Sequence, residues 1–176
     1  MPVYVSANRK KDFLPPPEGR HLSVFVDVVD LGIQPGDWGP KPQVDLRWQT
    51  EQLMDTGPAA GKPYLVTRWY TPTLGTNNSG QKSNLLKLLE AWRGSPMTEE
   101  EKDNFDLETL LGKNCLLTIE HYRTRLNKLR GRILKIERAP RDSKKLFPRD
   151  YVREVAREQQ PARKPEIFDD EEEVPF

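Results

Sequence analysis

Residues 63–94 read PYLVTRWYTPTLGTNNSGQKSNLLKLLEAWRG, and the hydrophobic period changes within them. The first eight residues are rich in β-branched and aromatic side chains and predict a strand. Leu65, Thr67 and Trp69 fall on one side of it, Tyr64, Val66, Arg68 and Tyr70 on the other, and parity alone does not pick the buried side. From Ser83 onward the spacing is helical, with Leu85, Leu88, Leu89 and Trp92 at i, i+3, i+4 and i+7. Ser83 suits an N-cap and Gly94 lies just past the last periodic residue. Trp92 therefore belongs to a core-facing stripe.

Strand-like runs flank this unit on both sides. Upstream, residues 21–30 (HLSVFVDVVD) place Val24, Val26 and Val28 on one face. A loop containing Gly32, Pro35, Gly36, Gly39, Pro40 and Pro42 leads to residues 44–49, which alternate cleanly. Val44, Leu46 and Trp48 share one face, Asp45, Arg47 and Gln49 the other. Residues 57–62 form a further turn. Downstream, Thr98 with Glu101 matches a capping box and Asp106 suits the cap of a short turn through Leu110. Residues 113–122 return to alternation, Cys115, Leu117, Ile119 and His121 against Leu116, Thr118, Glu120 and Tyr122. After a basic turn at 123–128 comes a last strand at 129–137. There Ile133 and Ile136 are three apart, which predicts a bulge.

Three strands, a helix and two strands is the element order of an OB-fold, a mainly β, five-stranded Greek-key barrel with its helix between strands three and four. The barrel is expected over residues 20–138, after an N-terminal arm at 1–19 that carries Arg9-Lys10-Lys11 and Pro15-Pro16-Pro17. Residues 139–167, basic and proline-containing with few apolar side chains, read as disordered linker, although 150–159 has transient helical character. Residues 168–176 form an acidic tip.

Composition narrows the function. Of 176 residues, 35% are hydrophobic, 31% are charged and 16 are proline, so a modest core with long solvated segments is expected. No run of apolar residues is long enough to span a bilayer. The first eleven residues lack the apolar core of a secretory signal, and a cytoplasmic location follows. Cys115 is the only cysteine and His21 and His121 the only histidines, so no internal disulfide forms and no metal site or cofactor is expected. Cys115 reads as a small buried hydrophobe.

The net charge of +1 conceals segregation. Residues 169–173 are five consecutive acids, and without the last nine residues 28 basic groups face 22 acidic ones, a net of +6. Residues 123–164 hold 15 bases and 5 acids. A basic body with an acidic tip suits a polyanionic ligand and a separate protein contact, although a solvated face and a solubilising tail would have the same composition.

Several stretches carry a resemblance. VDVVDLG at 26–32, GKPYLVTRWYTPTL at 61–74, NLLKLLEAWRG at 84–94 and FDLETLLGKNCLLTI at 105–119 resemble phage-type OB-fold proteins of replication modules, which bind single-stranded DNA. The end, IFDDEEEVPF, resembles the acidic tip of bacterial single-stranded DNA-binding proteins, with Asp169, Asp170, Glu171, Glu172, Glu173, Val174, Pro175 and Phe176 at the matching positions. The resemblance implies a protein that coats single strands in DNA replication, recombination or repair and recruits partner enzymes through its tip, in bacterial or phage-infected cytoplasm. It departs in the last hairpin, where YRTRLNKLR at 122–130 replaces a short glycine-containing turn. Bacterial proteins with such tips are often multimeric, so a homo-oligomer fits; no long apolar face here forces one.

Non-specific single-strand binding needs cations along the phosphate track and aromatic faces for unstacked bases. Arg47, Arg68, Arg123, Arg125, Arg130, Arg132 and Lys135 are the candidate cations. Trp48, Trp69, Tyr70 and Tyr122 are the candidate platforms, with Phe25 and Trp38 behind them. Tyr122, opposite the apolar parity of its strand, is the best aromatic, whereas Trp48 shares a face with Val44 and Leu46 and is expected in the core rather than at a base. At the tip, the Phe176 ring and the acids before it suit an apolar pocket rimmed by Arg or Lys on a partner. The same acids can fold back on the basic body and compete with phosphates. An enzyme is not expected: Asp27 and Asp30 are offset by three on a strand, Glu99, Glu100 and Glu101 fit the first turn of a capped helix, and no phosphate loop or nucleophile motif occurs. An OB-fold adaptor binding protein or RNA is the alternative, since stacking and cation tracking do not read the 2′-OH.

Overall fold

A computed structural model of the chain describes residues 14–57 and 59–155. The alternating runs become β1 (Gly19–Gln34), β2 (Lys41–Leu53), β3 (Pro63–Tyr70), β4 (Asn114–Arg123) and β5 (Leu129–Arg138). They form one antiparallel sheet in the order β3-β2-β1-β4-β5, with β3 and β5 at its edges. Between β3 and β4 lie α1 (Asn84–Arg93), the short α2 (Glu99–Asp103) and a 3-10 turn at Leu107–Leu110. The five strands and the inserted helix match expectation. The hydrogen-bond ladders among the described residues are those of an open sheet. None of these helices is long and apolar enough to cross a membrane.

Local signals account for the helical segment. The Ser83 side chain accepts a hydrogen bond from the Leu86 amide at 3.2 Å, and Gly94 ends α1 at φ 78° with its N–H on the Glu90 carbonyl. Thr98 and Glu101 form the full capping box, and Asp106 caps the 3-10 turn. α1 buries Leu85, Leu86, Leu88, Leu89 and Trp92. The rings of Phe25, Trp48 and Trp92 lie 5.3–6.2 Å apart at the centre of the core, and the Trp92 indole N–H donates to the Asn114 carbonyl. Cys115 lies fully buried in the same core, where desolvation pushes its thiol pKa up.

Two bulges re-aim side chains. In β5, Thr118 opposes Lys135 and Ile119 opposes Ile133, so Leu134 is the extra residue and both isoleucines reach the core. In β1 the register shifts between Phe25 and Asp27. This corrects the expectation that Val24, Val26 and Val28 share one face. Val24 pairs with Gln49 on the outer side, Val26 is the extra residue, and Val28 packs on the core. Period-2 reasoning fails across a bulge because one inserted residue inverts every later parity.

Segments at both ends of the described chain lie against the sheet. Pro15 and Pro16 pack beside Gly131, where a Cβ would stand 3.0 Å from the Pro15 Cβ, so glycine permits the approach. The His121 and His21 Nε2 atoms donate to the Pro16 and Pro17 carbonyls at 2.7 and 2.5 Å. Residues 139–155, read from the sequence as linker, form a strap whose part 144–154 lies against the outer face of β1 and β2. Asn114 donates to the Leu146 carbonyl and accepts from its amide (2.9 and 2.7 Å), and Gln49 does the same at Arg149 (both 2.8 Å). Apolar periodicity misses the strap because these anchors are polar and lie 32 and 100 residues away in sequence. Residues 1–13, 156–167 and the tip 168–176 lie outside the described residues.

Candidate nucleic-acid interface

The sheet sorts the predicted aromatics by side. Trp48 is 0% exposed and Tyr70 is buried opposite Val44, so neither ring offers a face to a base. Both are corrections to the candidate set. For Trp48 the reason is the shared face with Val44 and Leu46. For Tyr70 it is pairing in β3, which turns Val66 and Tyr70 inward and Leu65, Thr67 and Trp69 outward. Phe25 is core as well. Trp69 is 55% exposed and Tyr122 41% exposed. Trp38, in the β1–β2 loop, is exposed almost completely.

The cations divide in the same manner. Arg47 lies on the outer face of β2, as its parity predicts, but it is spoken for. Its Nε donates to Asp45 at 2.8 Å, and its Nη1 to the Tyr151 hydroxyl and the Glu154 carboxylate, each at 3.1 Å. Burial works against its charge, but these bonds outweigh burial and its pKa is raised. Beside it, Asp27 is fully buried and accepts from the Tyr151 hydroxyl at 2.9 Å, Arg153 Nε at 3.1 Å and the Glu154 amide at 3.0 Å. Burial alone would raise its pKa, yet the three donors hold it below the ordinary aspartate value. Asp45 goes the other way: burial raises it despite Arg47, and its Oδ1 has no partner among the described residues. Arg153 also reaches Glu108, tying the strap to the 3-10 turn.

On the other half of the sheet the cations face outward. Arg132 lies over the Tyr122 ring, Cζ 5.4 Å from the centroid, and pairs with Glu120 at 2.9 Å. Lys135 and Arg20 both reach Glu137, the latter at 2.6 Å. Arg130 stands opposite Tyr122, and Arg123 donates to the Asn127 carbonyl at 3.2 Å. Arg125 is exposed at the tip of the hairpin turn. That turn holds no acid between residues 121 and 131. Asn127 adopts φ 59°, the left-handed conformation for which the turn's missing glycine would be suited. Arg68 bridges the two sheet edges: its Nη1 donates to the Ile133 carbonyl at 3.3 Å, and its Cζ lies 5.1 Å from the Tyr70 centroid. Trp69 follows Arg68 on edge strand β3, and Tyr122 on β4 stands opposite Arg130 of edge strand β5.

Asp27, Gln49, Asn114, Tyr151, Arg153 and Glu154 organise the outer face, and sequence reasoning missed them. The one available signal was Asp27, an acid within an apolar strand run. Asp30 points elsewhere and accepts from the Gly32 amide at 2.9 Å. Among the described residues no three His, Cys, Asp or Glu side chains gather as metal ligands. Compared with known proteins, the chain matches no family model and no curated protein sequence.

Proposed function

We propose that this chain is a sequence-non-specific single-stranded DNA-binding protein, without catalytic activity of its own, built on an OB barrel. The barrel reading is supported by the strand order, the helix between β3 and β4, and the approach of Arg68 on β3 to Ile133 on β5. One observation carries the functional reading: the rings of Trp69 and Tyr122 are exposed, Trp69 next to Arg68 on β3 and Tyr122 beneath Arg132 and opposite Arg130, with Arg123 and Arg125 following it in the hairpin. Such an array lets bases stack and phosphates track cations without reading sequence. Preference for DNA over RNA, and a role in replication, recombination or repair, rest on the resemblance of the body to phage replication-module proteins. The acidic end, residues 169–176, recruits partner enzymes and competes with DNA for the basic body.

The test is fluorescence anisotropy with labelled dT oligomers at two salt concentrations, on the full chain and on residues 1–168. Tight binding that weakens steeply with salt and strengthens on truncation supports coating with a competing tip. Equal affinity of the two chains at low salt removes the competition. No dT binding returns the adaptor reading. That alternative is favoured by an apolar cavity of about 530 Å3 between α1, the 3-10 turn and β4, rimmed by Arg93, Lys113 and Arg138.

A further inference from the structure

The strap presents side chains of its own as well as covering β1 and β2. Between it and the strands opens a groove of about 250 Å3 whose apolar lining includes Leu53, Pro63, Leu146 and Phe147. Lys144 and Arg149 stand on its walls. Phe147 is 67% exposed, and Lys145 Nζ lies 5.4 Å from its ring centroid. Lys144 is paired with Glu51 at 2.5 Å. Arg149 is held through its backbone, and its exposed side chain has no hydrogen-bond or ion-pair partner among the described residues.

The placement of Phe147 is set in advance. The amide clamps from Asn114 at Leu146 and from Gln49 at Arg149 grip the backbone on either side of it. A ring held so does not have to be ordered when a ligand arrives, which lowers the cost of binding. An apolar slot with one exposed ring and cations at its mouth complements a planar base joined to a phosphate. Arg47, the cation beneath the strap, is already neutralised by Asp45 and Glu154. At the surface the strap offers Arg149, whose side chain is exposed, and Lys144, whose only partner among the described residues is the exposed Glu51.

We propose that the strap groove is a further nucleotide subsite, with Phe147 stacking a base of the single strand and Lys144 and Arg149 holding its phosphate; this rests on the single-strand reading above. The subsite extends the footprint beyond Trp69 and Tyr122 to a segment that composition marks as linker.

The experiment uses the full chain and labelled dT oligomers. Phe147→Ala is expected to weaken binding by about five- to a hundredfold, the range for one stacked base, and Phe147→Tyr to restore it. Because the ring is exposed, neither change threatens the fold. A dT oligomer carrying 5-iododeoxyuridine is expected to photo-cross-link within residues 144–149 of the parent chain. Unchanged affinity of Phe147→Ala, with Tyr122→Ala weakened, overturns the subsite and leaves the single-strand reading standing. Stronger binding by Phe147→Ala also overturns it, since the groove would then be serving the protein's own acidic end. Absence of dT binding by the parent chain overturns both.

Discussion

The outer faces of β1–β2 and of β4–β5 belong to one sheet and carry similar side chains, yet they have opposite fates. On β2, the Arg47 side chain is 16% exposed and is enclosed by Asp45, Tyr151 and Glu154. On β5, the Arg132 side chain is 57% exposed and lies over a ring that solvent reaches. Read along the strand, each is an arginine on the polar parity next to a buried core residue, Trp48 for Arg47 and Ile133 for Arg132. The difference comes from what crosses the face: the strap brings Glu154 and Tyr151 to Arg47, and no comparable segment among the described residues covers Arg132. Among the described residues Arg132 has one anion, the exposed Glu120, which a phosphate can displace, whereas Arg47 is enclosed by Asp45 and Glu154.

Substitutions can break or sharpen this contrast. The largest effect separates the sides of the sheet. Trp48→Ala is expected to cost about 3–5 kcal/mol of stability in urea unfolding, as a large core truncation does. Trp69→Ala is expected to stay within about 0.5 kcal/mol, as surface changes do. A similar loss for both would mean that Trp69 is not the outward residue described here.

Next in size is the contrast between the two faces in binding. Tyr122→Ala should weaken dT binding by about 1–3 kcal/mol, whereas Arg47→Ala should leave it nearly unchanged. Anisotropy titrations giving Arg47→Ala the larger loss would show that the strap leaves that face during binding, and the contrast would collapse.

The third prediction concerns the strap itself. Asp27→Asn keeps the shape but weakens three charge-assisted bonds, at a cost of about 1–2 kcal/mol. Hydrogen exchange across residues 144–154 should accelerate, with β4 unaffected. Because the pKa of Asp27 is lowered in the fold, its contribution is present above the ordinary aspartate value of 3.8 and is lost as pH falls through the folded value. Asp45, raised by burial, acts in the opposite sense, losing favour as pH rises through its folded value. Protection of the strap amides in the parent chain, relative to the intrinsic exchange rate at each pH, should therefore fall on acidification below about pH 3.8. In Asp27→Asn that step should be absent.

The smallest effect lies in the β4–β5 turn. Asn127→Gly should be tolerated, while Asn127→Val should lower stability by about 1–2 kcal/mol, the penalty for a β-branched residue in the left-handed region. Equal thermal melting of the two variants would remove the turn's dependence on that conformation.

How much of this was legible beforehand differs by element. α1 was readable from Leu85, Leu88, Leu89 and Trp92 together with Ser83 and Gly94, because a helix face and its caps are decided within a few residues. The bulge at Leu134 was readable for the same reason, from two isoleucines at the wrong spacing. The bulge at Val26 was not, since valines on both sides of it hide the change of parity. At the interface, Tyr122 was legible by its opposition to Cys115, Leu117 and Ile119. Tyr70 and Trp69 were not separable, because their strand carries apolar residues on both parities.

What the amino-acid sequence determined alone is therefore the set of local elements, their order, the capping of the helices and the segregation of charge. Each depends on periodicity and on contacts between near neighbours. Tertiary structure alone decided which arginines remain available and that residues 139–155 form a strap. Those outcomes depend on single polar partners brought together from far along the chain: Gln49 with Arg149, Asp27 with Tyr151 and Arg153, and Arg47 with Glu154. A hydrogen bond needs only one donor and one acceptor in place and leaves no repeating pattern in sequence, so only the fold shows where such bonds form.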